Sequence, residues 1–421
     1  MSKQGSSIPN YCVLCRGRGW CGLAYCPILV KQYVHLRLDP LTLKKDFFGS
    51  SPPSVFVGRY GYPAVRVGVS VPPETGDTSI YDQPEKWVDL GLNTVLNYRL
   101  TLVLGFKVSD KRDLENPFVR AFQEVALSVK PVDVEIRLLK PPKPNLLLDE
   151  TNPPIGPRSP IEAYRVDSNP SIPRHVDKLY NDEVKAHEAV LYLYESGLPV
   201  SYIQRAFSIG AFGRKSDRVL VPTRWSITAV DSIISQSLIR EIKGYEPLNE
   251  FRVYEQRIHD NLFIAVLAPR KWGFEWMEAW WPGSTWNPAG GEVEVEGDYE
   301  LYRGRREYPS IGGCYFASRL ATAEHLRKLK RQAMAILLRE IYPGFNLAIG
   351  VWFVRESLRK AYEKGPVLVT SDIREVLEYI DKETKLGARR WLKASRLLQL
   401  LAKTEEITRF TSNRGGLASG L

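Results

Sequence analysis

Four thiols crowd the start of this chain, Cys12, Cys15, Cys21 and Cys26, in the stretch YCVLCRGRGWCGLAYCPIL. A deprotonated thiol is a soft metal ligand, and the spacing C-x2-C-x5-C-x4-C brings four of them within reach of one ion. A pair of disulfides is the competing chemistry. The whole chain of 421 residues holds only five cysteines, whereas a secreted disulfide framework scatters them through a small, loop-rich sequence. The expectation is a reduced, intracellular protein whose four thiolates close a tetrahedron around Zn2+, at about 2.3 Å from each sulfur. Iron–sulfur clusters use other cysteine spacings. Four cysteine ligands leave no open position, so such a zinc is structural. Gly17, Gly19 and Gly22 allow the turns, and Arg16 and Arg18 lower the cost of gathering negative sulfur.

A second set of residues could handle phosphate. In VPTRWSITAVD, Arg224, Trp225, Ser226, Thr228 and Asp231 sit at a turn-to-helix transition, where free backbone amides favour an anion. The competing account is that Thr223 or Ser226 caps a helix while Trp225 fills the core. Arg214 and Arg218 lie just upstream in GRKSDRVL, and Arg59 lies in the glycine-rich turn GRYGYP. Glu275, Glu278, Asp298 and Glu300 lie among Trp272, Trp276, Trp280, Trp281 and Trp286. Carboxylates held near aromatic surface can serve as general acids or bases or gather Mg2+, but these follow no nuclease spacing, and surface ion pairs beside core tryptophans account for them as well. His259 and His325 each stand alone, Cys314 has no adjacent base, and no G-x-x-x-x-G-K-[ST] loop is present.

The elements that must position these groups read as α+β. PSVFVGRYGYPAVRVGVSVPP has the alternation of two short strands around a turn, and YRLTLVLGFKV and PVDVEIRLL read as further strands with the helical ENPFVRAFQEVALS between them. Helices are expected at DEVKAHEAVLYLYESG and WSITAVDSIISQSLIREIKG, and strands at EFRVYEQRI and NLFIAVLAP. One long helix is expected over ASRLATAEHLRKLKRQAMAILLREI, burying Leu320, Ala323, Leu326, Leu329, Ala333, Ile336 and Leu337 and presenting Arg327, Lys328, Lys330 and Arg331 as a basic ridge. The following NLAIGVWFVRESLRKA reads as a strand. The organisation expected is a zinc module over residues 8–30, an α+β region over 31–138, a proline-rich connector over 139–175, a second α+β region over 176–405 and a disordered tail over 406–421.

Net charge of +10 and a pI near 9.2 draw such a protein towards polyanions, although an ion-paired surface rich in Lys, Arg and Glu gives the same balance. The N-terminus lacks a signal peptide pattern and no apolar run is long enough to span a bilayer, so a cytoplasmic protein without membrane attachment is expected.

CVLCRGRG resembles the C-x-x-C-x-G-x-G knuckle of chaperone zinc modules. Beyond it, VGRYGYPAVRVG, NPPIGP, RVLVPTRWSITAVD, WGFEWMEAWWPGSTW, GGCYFASRLATAEHL and REIYPGFNLAIGVWFVRE in this order resemble the archaeal Nre family of DNA-repair proteins. The resemblance implies a DNA-damage-response protein whose partners are DNA and other repair proteins. Many members carry a C-terminal Q-x-x-L-x-x-F-F peptide for the sliding clamp. Here the tail has Phe410 alone before TSNRGGLASGL, so the clamp stays an open partner without its usual peptide. The leading function is a basic repair factor that binds DNA or a repair assembly. The rival is a nuclease or nucleotide-modifying enzyme with a pocket built from GRYGYP, VPTRWS and the tryptophan and acid segment.

The zinc expectation has a direct check. Elemental analysis of purified protein should find one zinc per chain, and Cys15→Ser should loosen the N-terminus without altering chemistry elsewhere, since a structural site contributes folding free energy. Absence of stoichiometric metal in the wild type contradicts it.

Overall fold

The computed structural model describes residues 44–142, 155–287, 291–345 and 348–403. Cys12, Cys15, Cys21 and Cys26, and the tail 406–421, lie outside the described residues. The chain divides into two compact units, one running to Ile234 and including Leu347–Phe353, the other spanning Ser235–Asn346 and continuing from Val354. Among the described residues no helix is long and apolar enough to cross a membrane.

The first unit is built on a six-stranded sheet ordered β1 (Asp46–Ser51), β5 (Val132–Leu138), β6 (Arg158–Val166), β4 (Val103–Asp110), β3 (Ala64–Val71) and β2 (Ser54–Val57). Only β4 and β6 run parallel. Val65, Val67, Val69 and Val71 recur at the strand period of two and are fully buried. They face α2 (Pro117–Leu127), which packs against β2, β3 and β6. Asn116 caps α2 by accepting from the Phe118 amide, and Pro117 sits where a missing amide proton costs nothing. The other helices of this part are α1 (Leu92–Thr101), α3 (Arg174–Asn181), α4 (Ala186–Glu195) and α5 (Val200–Ser208).

The second unit has a six-stranded sheet ordered β10 (Glu294–Glu300), β9 (Gly273–Trp280), β11 (Met334–Ile341), β8 (Asn261–Ala268), β7 (Phe251–Ile258) and β12 (Leu368–Thr370). Every residue of β11 is buried, because it lies between β8 and β9 and is covered on both faces. On one face Val266, Ile336 and Leu338 pack with Val376, Ile380 and Trp391 of α9 (Ile373–Glu383) and α10 (Ala388–Ala394). Alternate residues turn to the other face, where Phe274 meets Tyr315 of α7 (Gly313–Leu329) at 5.0 Å. The helix α6 (Thr223–Ile242) and the helix α8 (Trp352–Lys364) complete the described elements, with residues 396–403 also helical.

The structure redraws several expected elements. The long helix over the ATAEHLRKLKRQAMAILL segment stops at Leu329: Lys330 takes a left-handed conformation, φ 52°, and the amides of Lys330 and Arg331 turn back to the Arg327 and Leu326 carbonyls. Ile336 and Leu337 therefore belong to β11, a strand buried on both sides whose run from Met334 to Leu338 is apolar throughout and carries no alternation to tell it from a buried helix. VWFVRESLRK is helical, as α8, rather than a strand. Within YRLTLVLGFKV a helix ends at Thr101 and the strand begins at Val103. Inside the proline-rich stretch, Arg158–Val166 is a central strand of the first sheet. Its Pro160 is tolerated beside a bulge, where Arg137 pairs with Ala163 but Leu138 with Ile161. The division between compact units falls within α6, not at that stretch.

His325 of α7 is a packed residue. Its ring stacks on Tyr362 at 4.3 Å and Nε2 lies 2.9 Å from the Tyr254 hydroxyl. Burial, with Arg252 and Lys328 nearby, pushes its pKa down from 6.5 to about 4. The folded protein thus keeps His325 neutral while the unfolded chain takes up a proton below its own pKa. This contribution is whole above pH 6.5 and is lost as pH falls towards 4, on the order of 3 kcal/mol. Urea unfolding at neutral and mildly acidic pH should show a smaller acid loss for His325→Gln than for the wild type. An identical acid loss contradicts the assignment.

Candidate nucleic-acid interface

Three segments distant in sequence are tied together at one end of the first sheet. The turn after β2 closes through the Ala64 amide on the Gly61 carbonyl at 3.0 Å. Gly61 has φ 88°, and a Cβ there would stand 2.9 Å from the Ala64 oxygen, so glycine is required. The Lys111 amide donates to the Pro63 carbonyl at 3.0 Å, and the Leu220 amide donates to the Lys111 carbonyl at 2.7 Å. The Val57 amide donates to Thr223 Oγ1 at 2.9 Å. These bonds bring GRYGYP and VPTRWS side by side.

The tie leaves aromatic rings facing outward beside cations. The Tyr62 and Trp225 rings lie 5.2 Å apart at 60°. Tyr60 is 69% exposed, Trp225 44% and Tyr62 39%. Lys111 Nζ stands 4.5 Å from the Tyr62 ring centre and donates to its hydroxyl at 2.8 Å. The Arg59 guanidinium lies 5.0 Å over the Tyr60 ring and donates to its hydroxyl at 3.1 Å. Arg224 is exposed in the first turn of α6. Arg59, Lys111 and Arg224 form no ion pair among the described residues. Exposed rings flanked by unpaired cations can stack on unpaired bases while neutralising phosphates.

The helix start itself offers less than its sequence suggested. Thr223 Oγ1 is occupied by the Val57 amide, the Trp225 and Ser226 amides donate to the Pro222 carbonyl, and buried Ser226 donates to the Thr223 carbonyl. Nor does Trp225 fill the core. Arg218 is a builder of its own loop: its guanidinium donates to the carbonyls of Gly213 at 2.8 Å, Tyr180 at 2.8 Å and Asp182 at 3.0 Å. Arg214 is exposed beside the short turn Lys215–Asp217.

The acids of the tryptophan-rich segment belong to the second unit, and each is committed. Glu278 accepts from Arg339 at 3.0 Å and from the indoles of Trp276 and Trp280 at 3.2 and 2.8 Å. Glu300 accepts from Arg319 at 2.8 Å and from the Trp272 indole at 3.1 Å. Glu275 accepts from the Ser395 hydroxyl and the amides of Arg396 and Leu397, tying β9 to the last helical turn. Burial pushes the Glu275 carboxyl up, and these bonds oppose it. Asp298 receives Arg305 at 2.7 Å and the Ser310 amide at 2.9 Å. The Cys314 thiol, on a half-buried residue, is pushed up by desolvation and by Glu278. Of the basic ridge, Arg327 pairs with Glu241 at 3.0 Å, while Lys328, Lys330 and Arg331 are exposed around the end of α7.

Lys111 escaped the sequence reading, because its partners Tyr62 and Leu220 are far away in the chain and no local pattern announces them. If Trp225 is a surface ring, Trp225→Ala should cost only about 0.5–1.5 kcal/mol, the worth of an aromatic pair. Trp276→Ala, removing a fully buried ring, should cost about 3–5 kcal/mol. Urea unfolding of both variants checks this; equal losses would return Trp225 to the core.

The chain matches two family patterns, Archaeal Nre, N-terminal, over residues 20–287, and Archaeal Nre, C-terminal, over residues 300–410. It is 46% identical to the DNA repair protein NreB of Archaeoglobus fulgidus, over 92% of this chain and 97% of that protein. It is 35% identical to the DNA repair protein NreA of the same organism, over 90% and 93%, and 37% identical to the NreA of Haloferax volcanii, over 82% and 85%. No solved structure matches. Coverage of nearly the whole chain by both family patterns, with relatives matched almost end to end, makes this chain a member of the archaeal Nre family.

Proposed function

We propose that the chain is a cytoplasmic DNA-repair factor that holds DNA where bases are unpaired, using the surface of Tyr60, Tyr62 and Trp225 with Arg59, Lys111 and Arg224. The repair role rests on the relatives, which are named DNA repair proteins. The observation that carries the mode of binding is the Tyr62–Trp225 pair, exposed and 5.2 Å apart beside cations that form no ion pair among the described residues. Leaving such rings exposed gains the fold far less than burying them would, whereas every base has a face that can stack on them. Zinc at Cys12, Cys15, Cys21 and Cys26 would clip the N-terminus, as the spacing suggests, and other repair proteins would share the assembly.

The enzyme reading draws support from the meeting of GRYGYP and VPTRWS. Its intended acids weaken it, because Glu275, Glu278, Glu300 and Asp298 each hold a structural partner.

Fluorescence anisotropy with a labelled oligothymidylate over a salt series separates the two contributions. Trp225→Ala should weaken binding by about 1–3 kcal/mol and leave the salt slope unchanged, since a stacking contact releases no counterion. Arg224→Ala should weaken binding and reduce the slope by about 0.7, the value for one phosphate contact on a single strand. Wild-type protein that binds neither single-stranded nor duplex DNA at low salt overturns the proposal.

A further inference from the structure

The second unit exposes another set of rings and cations, at the end of β10 and in the loop that follows it. Tyr299 is 41% exposed, Tyr302 43% and Tyr308 63%. Among them Arg303 and Arg306 are exposed and make no ion pair among the described residues. Tyr308 rests beside the Phe316 ring at 5.5 Å and yet stays exposed, as do Tyr299 and Tyr302, so three large rings and two exposed guanidinium groups are concentrated in one short stretch.

The loop is held in shape from within. Glu300, at the end of β10, turns inward to Arg319 and the Trp272 indole, and so sets Tyr299 and Leu301 facing outward. Arg305 also turns inward: Nη2 donates to Asp298 at 2.7 Å, Nε to the Glu307 carbonyl at 2.7 Å, and the guanidinium lies 4.9 Å from the Tyr315 ring. Asp298 in turn accepts from the Ser310 amide at 2.9 Å. Burial would raise the Asp298 carboxyl, but Arg305 and these amides outweigh it and hold the group below the usual carboxylate range. The Gly304 amide closes the turn on the Leu301 carbonyl at 2.8 Å. Of the arginines in YRGRRE, the middle one is thus an anchor and its two neighbours point to solvent.

A flank of positive charge completes the surface. Lys243, just past α6, stands 4.8 Å from the Tyr302 ring centre and donates to the Tyr302 carbonyl. The same end of α6 holds Arg327 through Glu241, and the Gln332 amide donates to the Glu246 carbonyl at 3.0 Å. The exposed Lys328, Lys330 and Arg331 follow Arg327 around the end of α7. Rings on a braced loop with cations beside them suit a flexible polyanion carrying flat bases.

We propose that the end of β10 and the loop after it, from Tyr299 to Tyr308, with Lys243, form a second single-stranded-DNA contact surface, stacking bases on Tyr299, Tyr302 and Tyr308 and binding phosphates through Arg303 and Arg306. It rests on the reading above that the ligand is DNA, and it adds a contact in the second unit that the first surface does not require.

The test uses the full chain and an oligothymidylate with 5-iododeoxyuridine substitutions. Ultraviolet crosslinking followed by peptide mapping should find adducts at Tyr302 or Tyr308 as well as within the first surface. Arg303→Ala/Arg306→Ala should weaken binding about tenfold and reduce the salt slope by about 1.4, roughly 0.7 for each phosphate contact. The same reduction should appear in a Trp225→Ala background. Circular dichroism and unfolding midpoints of the double variant should match the wild type, because neither arginine forms an ion pair among the described residues. Crosslinks confined to Tyr60, Tyr62 and Trp225, with unchanged affinity in the double variant, overturn this inference and leave the first surface standing. Loss of a copurifying protein with unchanged DNA affinity overturns it in favour of a protein-docking loop. A wild type that binds no DNA removes both proposals together.

Discussion

An ionised side chain withdrawn from water must be paired, or the fold loses several kcal/mol for each one. This constraint sorts the charges of the chain. Arg339 on the fully buried β11 is matched by Glu278 and Asn261, and Arg319 by Glu300. Arg218 finds three carbonyls instead of a carboxylate. Once the interior has taken these, Arg59, over the Tyr60 ring, and the exposed Arg224 in one unit, and the exposed Arg303 and Arg306 in the other, form no ion pair among the described residues. The proposed contact surfaces are built from charges that the interior did not consume.

The same division explains why an acid-rich, tryptophan-rich segment that reads as a candidate active site becomes a core. Trp272, Trp276 and Trp280 each carry an indole donor that needs an acceptor when buried, and Glu278 and Glu300 supply it. The segment's composition is set by reciprocal satisfaction of polar groups inside a sheet, and Arg339 completes the arrangement from a strand that is distant in sequence.

Much of the fold was legible where one face of an element meets water. The β2–β3 hairpin, α2, α6 and β7 follow their periodicities, while β8, buried at every residue, reads as a strand from its short apolar run instead. Legibility failed where both faces are covered. β11 carries an apolar run on each side and follows a good helix with no proline or glycine between, so only the left-handed Lys330 marks the change. The aromatic and β-branched start of VWFVRESLRK suggested a strand, yet the segment is α8 and buries Arg355 and Glu356 as neighbours. Pro160 reads as a break because the bulge that accommodates it depends on pairing with β5. At the site, the glycine-rich turn and the TRW helix start were visible as local patterns. Their meeting depends on Val57, Lys111 and Leu220 backbone bonds, and the exposure of Trp225 depends on that meeting, so neither could be read locally.

The central claim is that the Tyr62–Trp225 pair is a surface made to receive bases. The most direct measurement is 19F NMR of protein labelled with 5-fluorotryptophan, the Trp225 resonance being assigned from a Trp225→Phe variant. Titration with oligothymidylate should shift or broaden the Trp225 resonance at concentrations that saturate binding, while the fully buried Trp276 and Trp391 stay in place. A Trp225 resonance unmoved at saturation would contradict the account.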